Sequence, residues 1–170
     1  MPPPLDDPDL PRRRVLTLTA VAGVGLALAP PLRASGAARV QALNRHPDDA
    51  RRMMVFHPAV TRIAPGETVE FVISDRGHNV ESFPDMLPEG AAPFRSGIGE
   101  GITQRFDTPG TYGFFCRPHR GMGMIGFVLV GEDFAANLDA VGAAGGGLAP
   151  RPLAERFAAL IAEIEAMAAS

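Results

Sequence analysis

The sequence predicts an all-β sandwich that is followed by a helical C-terminal segment. Between residues 53 and 130, short runs rich in β-branched and aromatic residues alternate with turn signals. Two of these turns, at residues 64–67 and 107–110, contain a Pro-Gly pair, which favours a tight reversal of the chain. From residue 152 onward the apolar residues recur at spacings of three and four, as they do along one face of a helix.

Five runs of the central segment have the composition of β-strands. The clearest is at 68–73, because Val69, Phe71 and Ile73 alternate with their neighbours and therefore share one face. The strands are predicted at residues 53–56, 60–63, 68–73, 111–116 and 125–130. Prolines and glycines interrupt residues 85–101, and we expect a long irregular excursion between strands there.

Two helices are predicted in the C-terminal segment. The first covers residues 134–141 and is expected to end at Gly142, because glycine frequently follows the last turn of a helix. The second covers residues 152–167, with Pro152 in the first turn, where proline is tolerated. Its apolar face is formed by Leu153, Phe157, Leu160, Ile161, Ile164 and Met167. We expect this face to cover an open side of the sandwich.

The first 38 residues have the pattern of an export signal. Three consecutive arginines, residues 12–14, precede an apolar run at 15–32, and small residues follow it. A basic segment, an apolar segment and a small-residue end are the three parts of a secretory signal. The apolar run contains two glycines and two prolines, and it falls short of the roughly 20 residues of a membrane span. We therefore predict a signal at 1–38, cleaved after Ala37 or Ala38, with no stable membrane insertion afterwards and a periplasmic location.

The composition suits one exported domain. We expect a β-sandwich at 39–131 that carries the functional site, and a helical extension at 132–170 that packs on it. The formal net charge of the 170 residues is -3, so the chain has no positive excess for nucleic acid. A single cysteine cannot form an intramolecular disulfide, and in an oxidising compartment it needs a buried position, a partner chain or a metal.

Around the only cysteine the sequence places several metal-ligating residue types. Cys116 is separated from His119 by two residues, and Met124 follows five residues after that histidine. His78 comes after the predicted strand at 68–73 and adds a second imidazole. One thiolate, two imidazoles and a distant thioether suit a trigonal copper site that transfers single electrons. Zinc is disfavoured, because methionine is a poor zinc ligand and only one thiolate is present.

Each of these residues also has an ordinary structural role as an alternative. Lone cysteines and methionines commonly pack in cores, but a C-x-x-H-x-x-x-x-M arrangement between two strands is specific enough to favour the metal site. Met122 competes with Met124 for the axial position. We favour Met124, because it enters the next strand and should point inward, which leaves Met122 on the outer surface of the loop.

The remaining histidines, His46 and His57, have no comparable metal-ligating neighbours in the sequence and are predicted to lie at the surface. The chain contains four histidines in total and no His-x-His pair, so it lacks the ligands for the additional copper centres of a multicopper oxidase. One cysteine is also too few for a dinuclear copper centre with two thiolates.

Residues 116–124, together with residues 77–82, resemble those of the pseudoazurins, the bacterial blue-copper proteins of the cupredoxin family. The resemblance extends to residues 54–56, 65–69, 85–91 and 136–139, and it covers roughly residues 39–169. It implies a cupredoxin Greek-key β-sandwich of about eight strands with two C-terminal α-helices. It also implies one copper ion per chain, Cu(I) or Cu(II), bound by His78, Cys116, His119 and Met124.

The resemblance further implies a monomeric periplasmic electron carrier that is not an enzyme. Copper nitrite reductase is the implied acceptor, and cytochrome c is a further possible redox partner. The family typically places lysines around its exposed ligand histidine, whereas this chain contains no lysine. We therefore expect Arg76, Arg117 and Arg120, and also Arg95, to dock the partner, with Met122 in the apolar centre of the same surface.

Two residues beside the metal ligands are expected to tune the site. Asn79 follows His78 and is expected to join the two copper-binding loops by hydrogen bonding. Pro118 has no N–H group and therefore cannot donate a hydrogen bond to the Cys116 sulfur.

The alternatives to this function are a copper-binding carrier or storage protein without a redox partner, and an electron carrier for a different periplasmic enzyme. A small reductase is disfavoured, because four protein ligands leave no open position on the metal.

Overall fold

The structure is a computed structural model, and it describes residues 37–169. The predicted export signal therefore lies outside the described residues except for its last two, Ala37 and Ala38. The first strand already begins at Ala38. Cleavage after Ala37 would keep this strand whole, whereas cleavage after Ala38 would remove its first residue.

Eight β-strands form the body of the described chain. They are β1 (Ala38–Arg45), β2 (Met53–His57), β3 (Val60–Ile63), β4 (Glu67–Ile73), β5 (Glu81–Ser82), β6 (Ile102–Phe106), β7 (Gly110–Phe115) and β8 (Ile125–Val130). One sheet has the order β2-β1-β4-β6 and the other has the order β3-β8-β7-β5. β1 pairs with β4 and β3 with β8 in parallel, and the other strand pairs are antiparallel. The predicted eight-stranded sandwich is thus confirmed.

The inner faces of the two sheets enclose an aromatic core. Phe71 of β4 and Phe56 of β2 each meet Phe114 of β7 edge to face, with ring centroids 5.0 and 4.9 Å apart. Such pairs stabilise a core beyond the burial of their area. Cys116 and Met124 belong to this same buried cluster, so the core of the sandwich extends to the loop between β7 and β8.

Three strands lie outside the predicted runs, and each has a weak sequence signal. β1 buries only Val40 and Ala42, and β6 buries only Phe106. β5 consists of two residues. These strands form because their backbones pair with neighbouring strands, and hydrophobic alternation in a single sequence does not report such pairing.

The prediction that the first C-terminal helix ends at Gly142 is wrong. A 3-10 turn at Phe134–Asn137 leads into α1 (Leu138–Gly145), so the α-helix passes through that glycine. A glycine inside a helix costs only about 1 kcal/mol relative to alanine. Val141 is buried in an apolar cluster that includes Phe134 and Leu153, and this burial keeps the helix continuous beyond Gly142.

The second helix, α2 (Arg151–Ala168), packs against the outer face of the β3-β8-β7-β5 sheet. Leu153, Phe157, Leu160, Ile161 and Ile164 are buried, as predicted from their spacing, whereas Met167 is 38 % exposed. The Phe157 ring meets Phe127 of β8 at a centroid distance of 5.9 Å. A second core thus lies between α2 and the sheet.

Within the described residues, no helix has the length and apolar character needed to cross a membrane.

We expect two glycines of α1 to respond in opposite directions to alanine. A Cβ atom on Gly145 would overlap the Phe157 ring, so Gly145→Ala should lower the free energy of unfolding by about 1–3 kcal/mol. Nothing lies within 4 Å of a Cβ on Gly142, so Gly142→Ala should raise it by about 0.4–1 kcal/mol. Urea unfolding followed by circular dichroism measures both, and equal shifts of the same sign would contradict the packing described here.

Candidate metal centre

The loop between β7 and β8 folds back on itself so that its two ends meet. The Cys116 N–H donates to the Met124 carbonyl at 3.0 Å, and the His119 N–H donates to the Cys116 carbonyl at 3.2 Å. The 3-10 turn at Arg120–Met122 ends at Gly123, whose φ of 84° lies in the left-handed region that favours glycine. A Cβ atom there would also lie 2.9 Å from the Pro152 carbonyl oxygen of α2. The loop is therefore closed by its own backbone and lies close against the second helix.

Three potential metal ligands converge at this loop. The Cys116 Sγ lies 3.6 Å from the His78 Nδ1 and 3.6 Å from the His119 Nδ1, and the two Nδ1 atoms are 3.1 Å apart. A point equidistant from the three atoms is about 2.0 Å from each, close to the bond lengths of about 2.0–2.3 Å that imidazole and thiolate ligands make to zinc. Among the described residues, this is the one group of three or more His, Cys, Asp or Glu side chains arranged to hold a metal ion. The residues present therefore fit a first-row transition metal.

The candidate metal ligands differ in their access to solvent. His78 and Cys116 are fully buried, whereas His119 is half-buried at the surface. Met124 is also fully buried in the core cluster that contains Cys116, while Met122 is 53 % exposed. This burial pattern matches the expected inward position of Met124 and the outward position of Met122.

Burial favours the neutral forms of two of the candidate metal ligands, His78 and Cys116, in the absence of a metal. Burial lowers the pKa of His78, and the neighbouring His119 lowers it further against the opposing effect of Asp75. Burial raises the pKa of the Cys116 thiol, and backbone hydrogen bonds from Asn79 and His119 partly oppose this shift. The His78 ring is thus ready to bind a metal, while Cys116 must release its proton to become a ligand.

Asn44, at the end of β1, orients the His78 ring. Its Oδ1 atom lies 3.1 Å from the His78 Nε2. A carboxamide oxygen can only accept a hydrogen bond, so the Nε2 atom carries the ring proton and the Nδ1 lone pair faces Cys116 and His119. Asn44 has no signal in the sequence, because it belongs to an unpredicted strand and lies 34 residues before the histidine.

Asn79 joins the two loops that carry the candidate metal ligands. Its Oδ1 accepts the Arg117 N–H at 2.8 Å, and its Nδ2 donates to the Ser96 carbonyl at 3.3 Å. This bridge has the form expected from the sequence. It holds the segment after Cys116 against the segment that contains His78.

Two of the arginines expected at a docking surface make contacts within the chain. The Arg117 guanidinium forms a two-pronged ion pair with Glu81, with nitrogen–oxygen distances of 2.7–2.9 Å. Arg120 lies over the rings of Phe83 and Phe115, 5.1 and 5.2 Å from their centroids. Arg76 is exposed and, in the part of the chain that the structure describes, forms no ion pair.

Comparisons with known proteins agree with this site. The sequence profile of copper-binding proteins of the plastocyanin/azurin family matches residues 44–131. The pseudoazurin of Paracoccus pantotrophus is 43 % identical over 148 residues, which are 87 % of this chain and 97 % of that protein.

Solved structures of pseudoazurins share the fold. The pseudoazurin of Sinorhizobium meliloti is 44 % identical, with a TM-score of 0.68, over 75 % of this chain and 95 % of its own. That of Methylobacterium extorquens AM1 is 37 % identical, with a TM-score of 0.65, over 75 % of this chain and 98 % of its own. The predicted resemblance and the predicted copper cofactor are both confirmed. The chain belongs to the plastocyanin/azurin family of copper-binding proteins, in its pseudoazurin group, and is an electron-transfer protein and not an enzyme.

Proposed function

We propose that this chain carries single electrons in the periplasm through one copper ion held by His78, Cys116, His119 and Met124, and that it delivers them to a copper nitrite reductase. The observation that supports this most is the convergence of one sulfur and two imidazole nitrogens within 3.1–3.6 Å of one another. Copper bound there supplies a one-electron couple between Cu(I) and Cu(II). The N-terminal signal pattern supports export, and the resemblance of residues 116–124 and 77–82 to pseudoazurins is the ground for choosing this acceptor.

The surroundings of the donors keep their geometry fixed. The buried His78 and Cys116 exclude water from one side, and Asn44 holds the ring of His78 in a single orientation. Because the donors are positioned by the folded chain, they need little movement when the charge of the site changes. A set of four protein ligands leaves no open position for a substrate, which suits a carrier.

His119 offers an electron the shortest route from the metal site to the protein surface. It is half-buried, and Pro118, Gly121 and Met122 around it are exposed. Small transient redox interfaces combine an apolar centre with a charged rim. We therefore assign the electron exit to His119 and the docking surface to Met122 with the surrounding arginines.

The metal ligands are tested by the visible spectrum of the copper-loaded protein. We expect an intense thiolate-to-copper charge-transfer band that Cys116→Ser abolishes, because serine removes the sulfur. Met124→Leu should shift the reduction potential while Met122→Leu leaves it unchanged, since Met124 alone is buried beside Cys116. A wild-type protein without the band, or one that quickly passes its copper to an acceptor protein, would contradict the electron carrier.

Pro118→Ala should raise the reduction potential. Alanine supplies an N–H group two residues after Cys116, and a hydrogen bond from it to the Cys116 sulfur would stabilise the more electron-rich reduced state. A hydrogen bond that contributes about 1 kcal/mol corresponds to about 40 mV for a one-electron couple. Cyclic voltammetry measures the change, and an unchanged or lower potential rejects this role of Pro118.

The docking surface is tested by electron-transfer kinetics with a copper nitrite reductase at several ionic strengths. Arg76→Gln should lower the second-order rate several-fold at low salt and flatten its salt dependence, because it removes an uncompensated positive charge. The charge-balanced double change Glu81→Gln with Arg117→Gln should have little effect, since that pair is internally neutral. Arg105→Gln is the control away from the copper ligands, because Arg105 lies on β6 opposite Thr68, at the start of the strand β4 whose other end leads toward His78. An equal loss in this variant would contradict a local docking surface.

A further inference from the structure

A cleft that contains none of the copper ligands lies between the β1–β2 turn, the segment after β2 and helix α2. Its volume is about 240 Å³. Apolar Phe56 and Leu160 contribute to its wall, and its charged or titratable lining consists of His46, Arg52, His57, Arg156 and Glu163. The structure places His46 and His57, which the sequence predicts at the surface, in the lining of this cleft. Both are half-buried, and their rings meet edge to face at 4.9 Å.

The histidines supply hydrogen-bond donors to this cleft. His46 Nδ1 lies 3.1 Å from the Asp48 backbone nitrogen, whose N–H it accepts. The other ring nitrogen, Nε2, must then carry a proton even when the ring is neutral. His46 therefore presents a donor in both of its charge states.

The two arginines are the main unbalanced charges of the cleft. Arg52 and Arg156 are both half-buried, and among the described residues neither forms a salt bridge. Burial lowers the pKa of Arg156, repulsion from Arg52 lowers it further, and only Glu163 opposes the shift. A guanidinium remains charged under these conditions, so its partial burial is costly unless an anion neutralises it.

Two acidic groups lie near these cations, and one of them, Asp49 beside Arg52 and His46, is already ion-paired with Arg51. Glu163 is exposed and is the single carboxylate in the lining of the cleft. Two guanidinium groups and a histidine donor thus outnumber the acceptors that the chain provides. The cleft is complementary to an anion that brings several acceptor oxygens of its own.

We propose that this cleft binds a small free oxyanion of the phosphate or sulfate class. The planar donor fork of arginine matches oxyanions, to which it gives two parallel hydrogen bonds. The volume lies below the roughly 300–1,000 Å³ of pockets for drug-sized ligands, which favours an inorganic ion. The site is independent of the proposed electron-carrier function, because it requires no copper ligand.

The cleft and the loop between β7 and β8 at residues 116–124, the copper loop, are both in contact with helix α2. The Cβ atom of Arg156 would lie 3.1 Å from a Cβ atom on Gly123, so the turn of α2 that carries this arginine packs directly against the copper loop. An anion that neutralises Arg156 therefore removes repulsion from the helix that supports the loop. Binding of the anion should therefore raise the midpoint temperature of thermal unfolding.

Inorganic phosphate, titrated into the copper-loaded reduced protein at constant pH and ionic strength, tests the proposal. We expect saturable one-to-one shifts of the His46 and His57 ring resonances in NMR spectra, together with a higher thermal midpoint. Shifts of equal size with chloride would indicate general screening and would overturn the proposal, as would shifts that do not saturate.

Four variants make the test specific. Arg52→Gln and Arg156→Gln, on different elements, should each weaken phosphate binding about tenfold or more, because each loses charged hydrogen bonds. Glu163→Gln should tighten binding, since it removes the carboxylate that competes for the cations. Arg151→Gln is the matched control on the same helix, because Arg151 is 87 % exposed and already pairs with Glu155 at 2.6 Å.

Two results would overturn the proposal. The first is an equal affinity for phosphate in the wild type and in both Arg52→Gln and Arg156→Gln. The second is an absence of phosphate binding combined with slower electron transfer to nitrite reductase in Arg156→Gln, which would assign the cleft to a carboxylate of the partner protein.

Discussion

The structure of the metal centre depends on the closure of the loop between β7 and β8. The hydrogen bond from the Cys116 N–H to the Met124 carbonyl, at 3.0 Å, continues the pairing of these strands by one more step. Cys116 is thereby fixed at the end of one strand and Met124 at the start of the next. The N–H of His119, between them, donates to the Cys116 carbonyl, and the His119 Nδ1 lies 3.6 Å from the Cys116 sulfur. Three candidate ligands are thus placed by the same backbone pairing that builds the sheet.

The C-terminal helix α2 connects the copper loop to the packing of the β3-β8-β7-β5 sheet. Gly123 lies against Pro152 and Arg156, so the copper loop has a rigid wall on its outer side. The same helix buries Leu153 and Ile164 against the second sheet. Since the helix is held by a core of its own, movement of the loop would disturb packing far from the metal. A metal site that changes charge without changing shape needs such a support.

The sequence predicted the parts of the site that depend on residue type, and it missed those that depend on strand pairing. His78, Cys116 and His119 were predicted from their chemistry and from the strands around them, and they lie together. Asn44 could not be predicted, because the parallel pairing of β1 with β4 brings it to His78. The contact between the rings of His46 and His57 has no sequence signal either, because the strand register pairs His57 with Gln41 and leaves His46 beyond the paired residues.

The absence of lysine has a physical consequence at the surface around the copper loop. Arg117 binds both carboxylate oxygens of Glu81, and Arg120 lies over two aromatic rings. A lysine could form neither the planar two-pronged pair nor the same stacking contact, because its ammonium group is compact and strongly hydrated. These two side chains therefore stiffen the scaffold beside the site at the same time as they carry charge. The positive charge that remains available to a partner is smaller than the number of arginines indicates, and Arg76 contributes a larger share of it than either of them.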